Sequence, residues 1–311
     1  MIKDINLIKI LVKSVKMYMP PNVSKHKAKK DVKPEYILLG IMNGDMFGAP
    51  YELGVKFSKE QINNLDPCDA KYQFTDDTVM AKAILDACIY NKENKCNINQ
   101  SLSNYIKYMR LYAKKYPDAG YGSNFYDWAV NDIEDDNYKS FGDGSAMRSG
   151  TIGAIYDNPK DVIIQSVLSA YPTHSHPEGI KGSVVVAMLV WMALHNYTKY
   201  EMFNYAYSYY SEKQINSDMK KKISLNSQIE YLQSIERIYT ANVSCMIAVP
   251  EALINFFQTD SYEEGLYAAL TYRCDTDTVM AISGGIMTAY YDNCKIKSKN
   301  IETEINNIPT I

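Results

Sequence analysis

Apolar residues recur three and four positions apart along much of this chain, and strictly alternating runs are scarce. Val79, Met80, Ala83, Ile84, Ala87 and Cys88 fall on one face of a helix, the spacing by which a helix buries a single stripe. The same reading predicts helices over residues 101–116, 181–197, 242–257 and 262–270. Val279 to Tyr291 is apolar nearly all round. That predicts a helix buried on every side, with Gly284–Gly285 permitting close approach of a neighbour at some cost in helix propensity. The most apolar run, Ser183–Leu194, is about 12 residues long. A membrane span needs roughly 20, so this run is expected to be a buried helix and no membrane partner is expected. The fold class that follows is all-α, with many helices and short or medium connections.

At the N-terminus, residues 3–18 are amphipathic, with Lys3, Lys9, Lys13 and Lys16 interrupting the apolar positions. This predicts a helix and not the unbroken apolar core of a secretory signal. Residues 20–34 are basic, flanked by proline and without period, which predicts a solvated linker. Residues 211–230 are polar and read as a surface loop with a following helix. The expected organisation is a helix and basic linker over 1–34, a main domain over 35–295 and a tail over 296–311. Hydrophobic residues make up 46% of the chain, enough for a large core. The net charge of −3 calls for no nucleic-acid partner. The six cysteines form no C-x-x-C pair, so reduced thiols and a cytoplasmic location are expected.

Chemistry enters with a doubled heptad. TDDTVMA at Thr75–Ala81 is nearly repeated by DTDTVMA at Asp275–Ala281. Either block alone reads as a capped helix start, because Asp and Thr are good N-caps. Together they read differently. Each crowds two carboxylates and two hydroxyls into four residues, and such a cluster repels itself unless a helix terminus or a cation compensates. Carboxylate and hydroxyl oxygens are hard ligands that suit Mg²⁺ or Mn²⁺ better than Zn²⁺. If the two blocks face each other, they can hold two ions, and both must belong to one domain.

Four other segments carry site-like residues. NGDMFGAPYE at 43–52 offers Asp45 and Glu52 at an expected bend beside Pro50. YPDAGYGSNF at 116–125 is a turn-rich loop with aromatic residues. SFGDGSAMRSG at 140–150 has small residues that can offer bare backbone N–H groups to a pyrophosphate, with Phe141 as an aromatic face. THSHPEGIKGS at 173–183 contains His174-x-His176. That pair is weak evidence for zinc, because no third nitrogen or sulfur ligand is close in sequence.

In this order the segments resemble the ADP-ribosylglycohydrolase family. The resemblance is carried by G-D-x-x-G-x-x-x-E at 44–52, T-D-D-T at 75–78, G-D-G-S-A-M-R at 142–148, H-x-H-P-E-G-I-x-G at 174–182 and D-T-D-T at 275–278. It implies an orthogonal multi-helix bundle and a hydrolase that releases ADP-ribose from an N- or O-glycosidic bond to an ADP-ribosylated protein or small molecule. Nucleic acid would be a partner only if it carried ADP-ribose. It implies two Mg²⁺ ions, or Mn²⁺, on Thr75, Asp76, Asp77, Asp275, Asp277 and Thr278. Ser140, Phe141, Gly142, Asp143, Gly144 and Ser145 would form the ADP-ribose loop, and His174 would face the nucleotide. Glu52 and Asp76 are the candidates for taking a proton from water, and Arg148 is expected to be a structural ion-pair partner. Two departures stand out: Asp143 replaces the family's usual Asn, and Cys274 its usual Gly. Two other readings stay open, a non-catalytic ADP-ribose binder or structural member of the fold, and a metal hydrolase for another ribosyl nucleotide.

Overall fold

Pro34 opens a helix that no periodicity announced. In the computed structural model, which describes residues 5–29, 32–52, 57–65, 73–133, 138–210, 243–271 and 274–293, α2 runs Pro34–Gly48. Proline at the first helical position loses no intrahelical bond and already has a helical φ. From Gly40 to Gly48 every α2 residue is buried. With all sides inside the protein there is no polar stripe, and so no 3.6-residue signal to read. This corrects the expected bend at 43–52: Asn43 to Gly48 are the last turns of a helix, followed by a 3-10 turn at Ala49–Tyr51.

The all-α expectation holds: among the described residues there are helices and two isolated bridges, with no strand. The remaining elements are α1 Ile5–Tyr18, α3 Lys59–Asn63, α4 Asp76–Glu93, α5 Ile98–Lys115, α6 Ser123–Ala129, α7 Gly144–Met147, α8 Gly150–Ile155, α9 Pro159–Ala170, α10 Pro177–Leu194, α11 Lys199–Tyr210, α12 Ala248–Gln258, α13 Tyr262–Ala269 and α14 Thr276–Tyr291. The helix expected over 242–257 begins later, because Ser244 instead forms a bridge with Gly142. α10 extends beyond the apolar run, starting at Pro177 behind the His176 cap. It is buried against α7, α8, α9 and α14, which explains its composition. The segments 211–230 and 296–311 lie outside the described residues.

The linker expected over 20–34 is tied down. Lys29 Nζ donates to the carbonyls of Ala289 and Tyr290 at 2.9 and 2.8 Å, capping the end of α14. His26 stacks on Tyr197 with ring centroids 3.6 Å apart, and Tyr197 Oη donates to Pro21 O. Lys25 and Lys27 stay exposed, whereas Lys29 is half-buried and held by both its ammonium and its backbone N–H, which donates to Leu194 O at 2.6 Å. It brings α1 back onto α9, where Leu7, Leu11 and Tyr18 are buried.

The central contact is between α2 and α14. A Cβ on Gly44 would lie 2.2 Å from Met280 O, and one on Gly40 would lie 1.9 Å from Thr288 Oγ1. On the other side, a Cβ on Gly284 would meet Gly40 O at 2.5 Å. The two backbones touch along a glycine seam, and Tyr262 Oη locks it by donating to Gly40 O at 2.7 Å. Gly44→Ala must push rigid backbone apart and should destabilise the fold by ~2 kcal/mol, read as the shift in a urea unfolding midpoint. An unchanged midpoint would show that the seam can relax.

Candidate metal centre and nucleotide cleft

The first turn of α4 has backbone N–H groups with no partner inside the helix. Thr75 caps it, its Oγ1 accepting from Asp77 N at 3.4 Å. The larger share is met from α2. Asp45 Oδ2 accepts from Thr75 N at 2.9 Å, Thr78 N at 3.0 Å and Thr78 Oγ1 at 2.5 Å, while Asp45 Oδ1 accepts from Thr75 Oγ1 at 2.7 Å. Asp45 is fully buried, and the positive end of the helix favours its charge. At the start of α14, Asp277 Oδ1 accepts from Thr278 N at 2.9 Å. Thr278 Oγ1 then donates to Asp77 Oδ2 at 3.2 Å. That bond joins the two heptads directly, so the distant blocks do face each other.

Two groups of carboxylates offer oxygens within 4.8 Å of one another: Asp45, Asp77 and Asp277, and Glu52, Asp275 and Asp277. They share Asp277. Neither contains histidine or cysteine, which disfavours the zinc reading among the described residues. His174 and His176 turn to other tasks, bonding Thr173 and accepting from Glu178 N. Asp45 is close enough to be a ligand: its Oδ2 is taken up by Thr75 N, Thr78 N and Thr78 Oγ1, while Oδ1 accepts from Thr75 Oγ1 and keeps a second lone pair. It also orients Thr75, whose hydroxyl donates to Asp45 Oδ1 and so leaves the Thr75 oxygen a lone pair for the cleft. Asp77 Oδ1 is buried with no donor, as a cation ligand awaiting its ion would be. The donor set therefore fits a hard divalent cation.

Electrostatics agrees. Burial, followed by repulsion from Asp45 and Asp277, raises the Asp76 carboxyl to about 8. Asp77, Asp275 and Asp277 are pushed well above the ordinary carboxylate value, again first by burial. Asp76 is partly open to the cleft and stands outside both three-carboxylate groups. Glu52 is exposed at the cleft mouth.

Beside these carboxylates lies a cleft of about 440 Å³, within the roughly 300–1,000 Å³ of small-molecule sites. Ser140, Gly142, Asp143, Gly144 and His174 line it, as do Thr75, Asp76, Asp77, Asp275, Asp277 and Thr278. Two expected loop residues are placed otherwise. Ser145 turns inward and donates to Gly179 O at 2.9 Å, so its hydroxyl anchors the loop to α10 and is not among the lining groups. Phe141 is not among the lining residues; it is 49% exposed, edge-on to His176. Asp143 is buried and hydrogen-bonded to the Asp275 carboxyl, and burial raises it to about 7. Near neutrality it can therefore carry a proton, as the Asn it replaces carries hydrogens. Cys274 is buried, its Sγ toward Ala269 O and Thr276 Oγ1. Arg148 bonds Ser169 O and Thr173 Oγ1, not the carboxylate expected for an ion pair. Sequence reasoning noted the Asp45 carboxylate but gave it no role among the metal-site residues, because its motif was taken for a bend.

The fold and site describe a helical protein with a carboxylate-rich centre beside a nucleotide-sized cleft. The ADP-ribosylglycohydrolase family model matches residues 35–302, and the chain belongs to that family. It is 24% identical over 314 residues to mouse (Mus musculus) ADP-ribosylhydrolase ARH3, covering 82% of each chain. Against the human (Homo sapiens) ADP-ribosylhydrolase ARH3 it is 24% identical, covering 82% of this chain and 84% of that one. A solved structure described as an ADP-ribosylglycohydrolase-related protein complex superposes with a TM-score of 0.57 at 20% identity, over 83% of this chain and 86% of that chain, which shows a shared fold.

The raised carboxyls have a consequence for stability. They hold protons in the folded chain at pH values where the unfolded chain has released them, so stability falls as pH rises. In chelator the melting temperature should therefore be higher near about pH 5 than near about pH 8, the range ending at the value of Asp76. Mg²⁺ should remove most of that loss at the alkaline end, because the bound ion favours the ionised carboxylates. A metal-free melting temperature that rises across this range would contradict the arrangement.

Proposed function

We propose that the chain is a Mg²⁺-dependent hydrolase that cleaves the glycosidic bond between ADP-ribose and an acceptor, with Mn²⁺ as an alternative cation. Family membership and the name of its relatives support ADP-ribosyl hydrolysis. The observation that carries the reading is the meeting of the two heptads around Asp277 at the edge of the cleft. Thr75, Asp76 and Asp77 on one side, with Asp275, Asp277 and Thr278 on the other, would hold the cations. Bound there, the cations supply fixed positive charge against which the hydroxyls of the distal ribose are oriented.

Cleavage at C1″ of that ribose builds positive charge on the sugar ring. The surrounding carboxylates favour that charge. Glu52 is open to solvent beside Asp275 and Asp277 and is the group placed to take a proton from the attacking water. Asp76, also facing the cleft, is the second candidate. The glycines at 142 and 144 leave room for a phosphate against bare backbone.

Asp77→Asn and Asp277→Asn should each abolish Mg²⁺-dependent release of ADP-ribose, assayed on arginine-, serine- and nucleic-acid-linked ADP-ribose. Unchanged turnover in both variants would refute the assignment. Glu52→Gln should lower kcat by ~100-fold or more while ADP-ribose still binds. Binding without turnover on any substrate of the panel would instead make the wild-type protein an ADP-ribose reader.

A further inference from the structure

One wall of the cleft is His174, buried between the 138–144 loop and the start of α10. Its Nδ1 lies 2.7 Å from Thr173 Oγ1. The same oxygen accepts a hydrogen bond from Arg148 Nη2 at 3.0 Å, and Arg148 Nη2 also donates to Ser169 O at 2.9 Å. Thr173 and Arg148 are both fully buried. Their arrangement decides where the imidazole proton sits. A guanidinium only donates, so Thr173 Oγ1 accepts from Arg148 and its own hydrogen needs an acceptor. Among the described contacts Nδ1 is the acceptor within reach.

Were Nδ1 to donate instead, the threonine hydrogen would be buried with no partner, a costly arrangement. Flipping the ring puts a carbon there and repeats the fault. Burial, then the charge of Arg148, holds the His174 pKa well below its usual 6.5. The ring therefore has one proton, and it is on Nε2. That nitrogen faces the bare backbone of the loop: a Cβ on Gly144 would lie 3.2 Å from it, and one on Gly142 3.7 Å. Among the described residues Nε2 has no protein partner.

We propose that Thr173, oriented by Arg148, is a positioning residue that holds His174 as an Nε2–H donor into the cleft, so that the site selects ligands with a hydrogen-bond acceptor beside the Gly142–Gly144 turn. Naming ADP-ribose as that ligand rests on the function proposed above; the tautomer does not.

Nitrogen-15 spectra of the full chain test this, with His174 assigned among the four histidines by its loss in His174→Gln. Wild-type protein should show an unprotonated Nδ1 and a protonated Nε2 at His174. Thr173→Ser keeps that pattern. Thr173→Val, nearly isosteric, lets the other tautomer populate and weakens ADP-ribose binding, measured by calorimetry, by ~10-fold. A protonated Nδ1 in the wild-type protein overturns the proposal, as does a Thr173→Val variant with either the wild-type tautomer or the wild-type affinity. If wild-type protein binds no ADP-ribose, the functional reading falls, and the spectra of the wild-type, Thr173→Ser and Thr173→Val proteins still decide the relay.

Discussion

Two helix backbones in contact set the geometry of this molecule. α2 and α14 approach so closely at Gly40, Gly44 and Gly284 that no side chain fits between them. Gly48 continues the seam to the start of α14, where an added Cβ would meet Asp277 Cα at 2.6 Å. Along such a seam there is little freedom to slide, because backbone cannot repack as side chains do. Asp45, one residue beyond Gly44, is thereby delivered beside the first turn of α4, and Asp277 beside Asp77. The carboxylate cluster is a consequence of how tightly these helices cross.

The same packing creates an electrostatic problem. Carboxylates are gathered where water is mostly excluded, and each raises the proton affinity of the next. Helix termini relieve part of this: Asp45 is satisfied by the N-terminus of α4, and Asp277 by the N–H of Thr278. The remainder is left to protons or a cation. Asp77 Oδ1, buried and unbonded, shows where the relief is incomplete. The repulsion among these carboxylates that raises their proton affinity would equally favour a divalent cation.

Around this centre the polar groups are divided by task. Ser145, Arg148 and Thr173 point inward and fix the loop, the α9 end and the imidazole. Asp143 and Cys274, the two departures from the family pattern, are both accommodated. Asp143 shares a hydrogen bond with Asp275, and Cys274 is turned toward Ala269 and Thr276.

The sequence by itself determined the helical class, the existence of α4, the buried character of α10 and α14 and the doubled acidic block, because period and local capping chemistry are properties of adjacent residues; that α4 is buried from Asp77 to Leu85 on every side, and not along one stripe, it did not show. It did not reveal α2, whose residues from Gly40 to Gly48 are buried on every side and so carry no phase. Nor did it show that the 20–34 segment is tied to α14 through Lys29. Asp45 looked like a turn residue until the helix carrying it was seen to end against α4. Ser145 and Phe141 sit within a motif, yet the chain's path turns one inward and leaves the other at the rim. Only tertiary structure decided these points, since they depend on which surfaces are brought within hydrogen-bond reach across long separations in the chain, and no local pattern encodes that distance.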